Sequence, residues 1–187
     1  MKKNLLIFLV ILIIKCQFKI CEREEEWKLI MRKLDESSAE VLAEICINPK
    51  QKIFLCIGTP EHVWDSYGPM VGSLLSEKDI LCFGTMNERV DSYNVESTEE
   101  RIRNEYEDAL IIAVDSAVTK SEAKTGKITI IRDGVKPGEA FTKNLKKVGD
   151  YSILFGVDSE DVNNKLIALP FSAALETYNV IMTSMFG

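Results

Sequence analysis

Apolar residues in this chain gather into short unbroken runs. Between the runs they recur every three or four positions, as expected of strands buried on both faces and the helices that cover them. Lys52 to Gly58 holds the run Ile53-Phe-Leu-Cys-Ile57, Ile80 to Phe83 a second, and Ala109-Leu-Ile-Ile-Ala-Val114 a third. After the first run, Met70, Val71, Leu74 and Leu75 form one helix face. Gly68-Pro69 suits its start, because proline at the first helical position loses no needed N–H. After the second run, Ser97 and Glu100 make a capping-box pattern that opens an acidic helix through Tyr106, with Ile102 and Tyr106 inward.

Upstream, Trp27, Ile30, Met31 and Leu34 give Glu22 to Leu34 a helical stripe. Ser37 with Glu40 predicts the cap of a further helix bearing Val41, Leu42 and Ile45, which Asn48-Pro49 stops. Downstream, Lys127 to Ile131 and Tyr151 to Phe155 read as a fourth and fifth strand. Arg132-Asp-Gly134 reads as a turn, Val135 to Lys147 as an exposed loop and Asp158 to Asn164 as a polar connection. Pro170 to Met185 predicts a closing helix with Phe171, Ala174, Leu175, Tyr178 and Met182 inward.

The order βαβαβ predicts an α/β fold: a three-layer sandwich around a mostly parallel, doubly wound sheet. In strand order 2-1-3 the loops leaving strands one and three diverge, and the crevice between them is where such sheets bind ligands. Asp65 follows strand one and Asp115 ends strand three, so the expectation is that both reach that crevice.

The 187 residues suit a single α/β domain over 22–187, preceded by an apolar leader over 1–21. The net charge of −6 and scattered basic residues argue against nucleic acid as a partner. Cys16, Cys21, Cys46, Cys56 and Cys82 have no metal-ligand spacing, and their odd number suits reduced, buried thiols. A cytoplasmic setting follows. The alternative is set by Lys2-Lys3 and the apolar stretch Leu5 to Ile14, which has no small-residue cleavage site after it. As a helix its ten residues span about 15 Å, half the hydrocarbon core, so it would give a membrane anchor or weak membrane association.

His62 is the only histidine, and no GxSxG elbow is present, so neither a serine nor a cysteine triad is supported. The same count excludes zinc held by several His or Cys, although an oxygen-rich site of Asp65, Asp115 and His62 is conceivable. With no Walker A or GxGxxG pattern, no cofactor is expected. What remains is the pair of aspartates. Two carboxyls in one cleft share a proton, so one serves as base and the other as acid toward a peptide carbonyl. Against this stands the ordinary use of aspartate to cap backbone N–H groups in turns.

A set of short blocks then carries a resemblance: Cys56-Ile-Gly-Thr59, Asp65-Ser-Tyr-Gly-Pro69, Val71-Gly-Ser-Leu-Leu75, Phe83-Gly-Thr85, Ala113-Val-Asp115, Val135-Lys-Pro-Gly138, Lys143-Asn-Leu145 and Val148-Gly-Asp150. In this order, over roughly Lys52 to Val157, the chain resembles the spore protease YyaC-like sporulation family, whose fold is similar to that of hydrogenase maturation proteases and the germination protease of spores. The resemblance implies a peptidase-like protein acting in the sporulating cell or spore on a protein or peptide substrate, with small spore proteins as candidates. It implies Asp65 and Asp115 as the catalytic pair; Thr59, His62, Ser66, Gly68, Thr85 and Ser116 are expected to shape the cleft, and neither metal nor cofactor is expected. The alternative is a noncatalytic peptide- or partner-binding protein of the same fold. Two departures stand out. Pro60-Glu-His-Val-Trp64 replaces a Thr-Asp-Arg-Ser-Thr-Gly-Asp type of loop, and Asp91 falls where the family has a histidine.

Overall fold

The computed structural model describes residues 34–138, 145–158 and 168–186. The expected leader, nearly all of the helix over Glu22 to Leu34 and most of the polar connection after Asp158 lie outside them. Among the described residues no helix is long and apolar enough to cross a membrane.

The described residues fall into two compact units, one running to Pro49 and including the chain from Asn179 on, the other Lys50–Tyr178. In the first lies helix α1 (Glu36–Ile47). Its N-cap is Asp35, whose carboxylate accepts from Ser38 N–H at 2.7 Å. Asp35 thus does what the Ser37/Glu40 pattern was expected to do, because an aspartate accepts as well as a serine hydroxyl and adds a charge that suits the helix N-terminus.

The second unit holds β1 (Lys52–Cys56), α2 (Tyr67–Ser76), β2 (Cys82–Phe83), α3 (Val95–Glu105), β3 (Leu110–Thr119), β4 (Ile128–Ile131) and β5 (Tyr151–Asp158). Helix α4 (Ala168–Met185) closes the described chain. The sheet order is β2-β1-β3-β5-β4, with every neighbour parallel except the β4–β5 pair. The expected 2-1-3 core is present. Residues alternate across β1: Ile53, Leu55 and Ile57 join Val95 and Ile102 of α3 in one core cluster. On the other face Cys56 abuts Gly72 of α2. Two crossover helices on opposite faces make the three layers of the α/β sandwich.

Several boundaries differ from expectation for identifiable reasons. The run Ile80 to Phe83 forms only two strand residues, since Ile80 is used to close the turn after α2, its N–H donating to Leu75 O. Pro69 is the third helical residue, not the first; its missing N–H is still one that a helix start leaves unpaired. Helix α3 starts at Val95, so Ser97 lies within its first turn and donates its hydroxyl to Asn94 O. The segment from Val135 is not wholly exposed: Val135 and Val148 bridge, and Pro137 is buried. In α4 Phe171 and Leu175 face outward, at 55% and 41% exposure, while Ala173, Ala174 and Thr177 face inward. The Thr177 hydroxyl meets the buried Tyr67 hydroxyl at 2.7 Å, which requires the small-residue face of the helix to approach.

Candidate functional site

The crevice arises from a mismatch in strand length. Strand β1 ends with Cys56 opposite Val114, and Ile57 N–H still reaches Val114 O at 2.7 Å. Strand β3 continues for five more residues, paired only with β5 through Asp115↔Leu154 to Thr119↔Asp158. Asp115 was expected at a strand end. It lies within β3, yet it is the first residue past the departure of β1, so the opening begins there.

The chain leaving β1 folds back over this opening. Gly58 takes φ +140, and a Cβ there would overlap Asp65 O. Gly68 lies against Ile57 O and Val114 O, where a side chain would likewise collide. Only glycine at these two positions lets the loop and the first turn of α2 approach β1 and β3 closely enough to present Asp65. A short 3₁₀ turn, Val63–Asp65, completes the loop.

The two carboxyls have different surroundings. Asp65 Oδ2 accepts from Thr59 N–H at 2.9 Å, and Oδ1 accepts from the Ser116 hydroxyl at 3.3 Å. Burial raises its pKa from 3.8 to about 6, against the opposing pull of these two donors and of His62. Asp115 is 7% exposed. Its Oδ1 accepts from Ser116 N–H at 2.8 Å, and among the described residues nothing donates to Oδ2. Burial first, then the charge of Asp65, push its pKa well above the ordinary carboxylate value. Ser116 links the pair, its hydroxyl on one aspartate and its N–H on the other. The arrangement favours charge on Asp65 and a proton on Asp115.

Both aspartates line a cavity of about 390 Å³, together with Ile57, Thr59, His62 and Tyr93. His62 stacks on Trp64, ring centroids 5.8 Å apart, at the side of the loop. The other residues expected to shape the cleft divide. Ser116 acts through the aspartates. Ser66 is buried and donates to Val63 O at 2.6 Å, so it holds the 3₁₀ turn and does not line the cavity. Gly68 is a packing residue. Thr85 lines a different cavity past β2, its hydroxyl oxygen accepting from Asn87 and Glu88 N–H.

Sequence reasoning gave no site role to Arg89 or Pro137-Gly138 and noted Glu61 and Asp91 only as departures from the family pattern; all are on the wall of the aspartate cavity. Arg89 pairs with Glu61 and, at 3.2 Å, with Asp91, whose other oxygen accepts from Tyr93 N–H. The signal was there in the Arg89-to-Asn94 segment, noted only for its missing histidine. Among the described residues no three of His, Cys, Asp and Glu are disposed to hold a metal ion, and both Asp65 oxygens already accept hydrogen bonds.

A family model described as "Protein of unknown function (DUF1256)" matches residues 27–182. The chain belongs to the DUF1256 family. Among curated proteins it is similar to "Uncharacterized protein YyaC" of Bacillus subtilis (strain 168), 27% identical over 139 residues, which is 70% of this chain and 67% of that one. The resemblance read from the short sequence blocks is therefore to the right family. Among solved structures the DUF1256 chain is similar to the [NiFe] hydrogenase maturation protease HycI of Thermococcus kodakarensis KOD1. The TM-score is 0.43 and the identity 19%, over 74% of this chain and 97% of that one. For HybD of Thermococcus kodakarensis the values are 0.38 and 15%, over 68% and 95%. Likeness at that level speaks to neither substrate nor activity.

Proposed function

We propose that this DUF1256 protein is a peptidase-like hydrolase in which Asp65 and Asp115 act as base and acid, working in the sporulation setting that its family resemblance implies. One observation carries this reading. A carboxyl more than nine-tenths buried, Asp115, has an oxygen to which nothing donates among the described residues, and it shares the wall of a cavity with a second carboxyl. Burying an ionisable group in this way costs stability, and such sites concentrate where chemistry is done.

Ionised Asp65, steadied by Thr59 N–H and the Ser116 hydroxyl, takes a proton from water as the water oxygen adds to the peptide carbonyl carbon. Protonated Asp115 gives its proton to the carbonyl oxygen. As the tetrahedral adduct collapses, the C–N bond breaks, the amine leaves with the proton held on Asp65, and the carbonyl re-forms by returning a proton to Asp115. The pair ends as it began. The test is cleavage of small, unstructured spore proteins, followed by mass spectrometry, with the purified chain and its Asp65→Asn and Asp115→Asn variants. Each variant is expected to lose at least roughly 100-fold in rate, the scale of a general acid or base. Equal rates in all three, or intact substrates with the unaltered chain between pH 4 and 9, would overturn the assignment.

A further inference from the structure

One strand over from the aspartates, past the end of β2, lies a second cavity of about 440 Å³. Phe83, Gly84 and Thr85 form one side, and Ser97 and Arg101 of α3 another. Arg89 lines both this hollow and the aspartate cavity, so the two adjoin along the carboxyl edge of the sheet.

The two arginines differ in what answers their charge. Arg89 is held by Glu61 and Asp91. Arg101 has no ion pair among the described residues; its guanidinium lies over the Phe83 ring, 5.2 Å from the centroid. Arg103, two residues on, shows the contrast, gripped by Glu99 and Asp150 at 2.9 Å each. A guanidinium stacked on an aromatic face is held in orientation while its N–H edge stays available, and that edge matches a planar carboxylate in a two-bond fork. Among the described residues Glu88 is the single acid on the wall, and with Arg89 already answered by Glu61 and Asp91 the cation left for a ligand is Arg101.

We infer that the cavity past β2 receives a carboxylate of a bound peptide on Arg101, while the adjoining peptide backbone crosses Asp65 and Asp115. The inference rests on the reading of the cleft as a peptide site and adds to it a preference for acidic chains. The carboxylate comes from an Asp or Glu side chain or from a chain end.

Binding without turnover separates this inference from the catalytic one. Fluorescein-labelled decapeptides of one neutral, apolar scaffold would carry a single Glu stepped through the positions. Each is paired with its Gln counterpart and made with a free or an amidated carboxyl terminus. Anisotropy is read with the full chain, Arg101→Gln and Arg101→Lys, all checked for unchanged melting temperature. At least one Glu position, or the free terminus, is expected to bind roughly tenfold tighter than its neutral partner, the scale of a charged hydrogen-bonded pair. Arg101→Gln should abolish that preference, and Arg101→Lys should keep only part of it, because an ammonium offers no fork. Equal binding of charged and neutral peptides, a preference that survives Arg101→Gln, or no binding by any peptide of the set would overturn the inference. Cleavage without an acidic preference would sink it while leaving the aspartate pair intact. An acidic preference without cleavage would do the reverse.

Discussion

At Asp115 burial, and after it the charge of Asp65, favour the neutral acid, the Ser116 N–H favours the charge, and the first two prevail. The consequence is a pH-dependent cost. Where both the folded and the unfolded chain hold the proton, in acid, a raised pKa has no effect on stability. Above the ordinary value of 3.8 the unfolded chain releases its proton first, so stability declines as pH rises toward the folded-state value. Asp65 behaves alike, with the decline falling between pH 3.8 and about 6. Asp115→Asn keeps an acceptor for Ser116 N–H and cannot ionise. It should therefore melt several degrees above the unaltered chain at pH 7 and level with it near pH 3.5, as scanning calorimetry would show. A variant destabilised at pH 7 would mean that Asp115 is a structural anion. At this scale the sequence brought Asp65 and Asp115 to one cavity, because each follows an apolar run of neighbouring strands, although Asp115 lies within β3 and is exposed to the crevice only because β1 stops beside it. The sequence was silent on their inequality, which depends on which oxygen finds a donor. Thr85 and Ser66 were misjudged for the same reason: proximity in a motif says nothing of which wall a hydroxyl faces.

Between elements, Asp150 joins the start of β3 to the start of β5. Its N–H donates to Ile111 O and its carboxylate accepts from Ile111 N–H, both at 2.8 Å, while Arg103 of α3 grips the same carboxylate. Asp150→Ala would leave the Ile111 N–H buried without an acceptor, at a cost of about 1–3 kcal/mol. At about 2–4 °C per kcal/mol for a chain of this size, a fall in melting temperature of about 2–12 °C is expected. Arg103→Ala removes only the half-exposed side of the network and should cost under about 1 kcal/mol. If the arginine change proves the costlier, the surface pair and not the strand junction holds these elements together. Most elements were legible because continuous apolar runs and 3.6-residue periodicity are local properties. The boundaries were less so. Where β2 stops depends on the turn that Ile80 closes, and where β3 stops depends on β5, its partner across a long connection. The outward turn of Phe171 and Leu175 was illegible because Thr177 is committed to Tyr67, more than a hundred residues away.

At the scale of the molecule, burial shifts the working range of the pair. Asp65 titrates near 6, while burial and then the charge of Asp65 hold Asp115 well above the ordinary carboxylate value, so the two carboxyls release their protons in separate steps and a form with one charged and one protonated carboxyl lies between them. The pH profile of kcat/KM should rise through about pH 6 and fall again only where Asp115 ionises. Activity that peaks near pH 4 and declines steadily above it would mean the two roles are exchanged or shared differently.

The margins of the sheet add a constraint of another kind. One outer strand, β2, contributes two residues and the opposite one, β4, four. Neither offers a foreign chain much main-chain ladder to extend, so recognition by strand addition has little to work with. On the proposed reading of the cleft as a peptide site, a bound chain would be gripped by a few side chains in the two hollows. A short signature would then suffice wherever a client is unfolded enough to present it, with little regard for the sequence on either side.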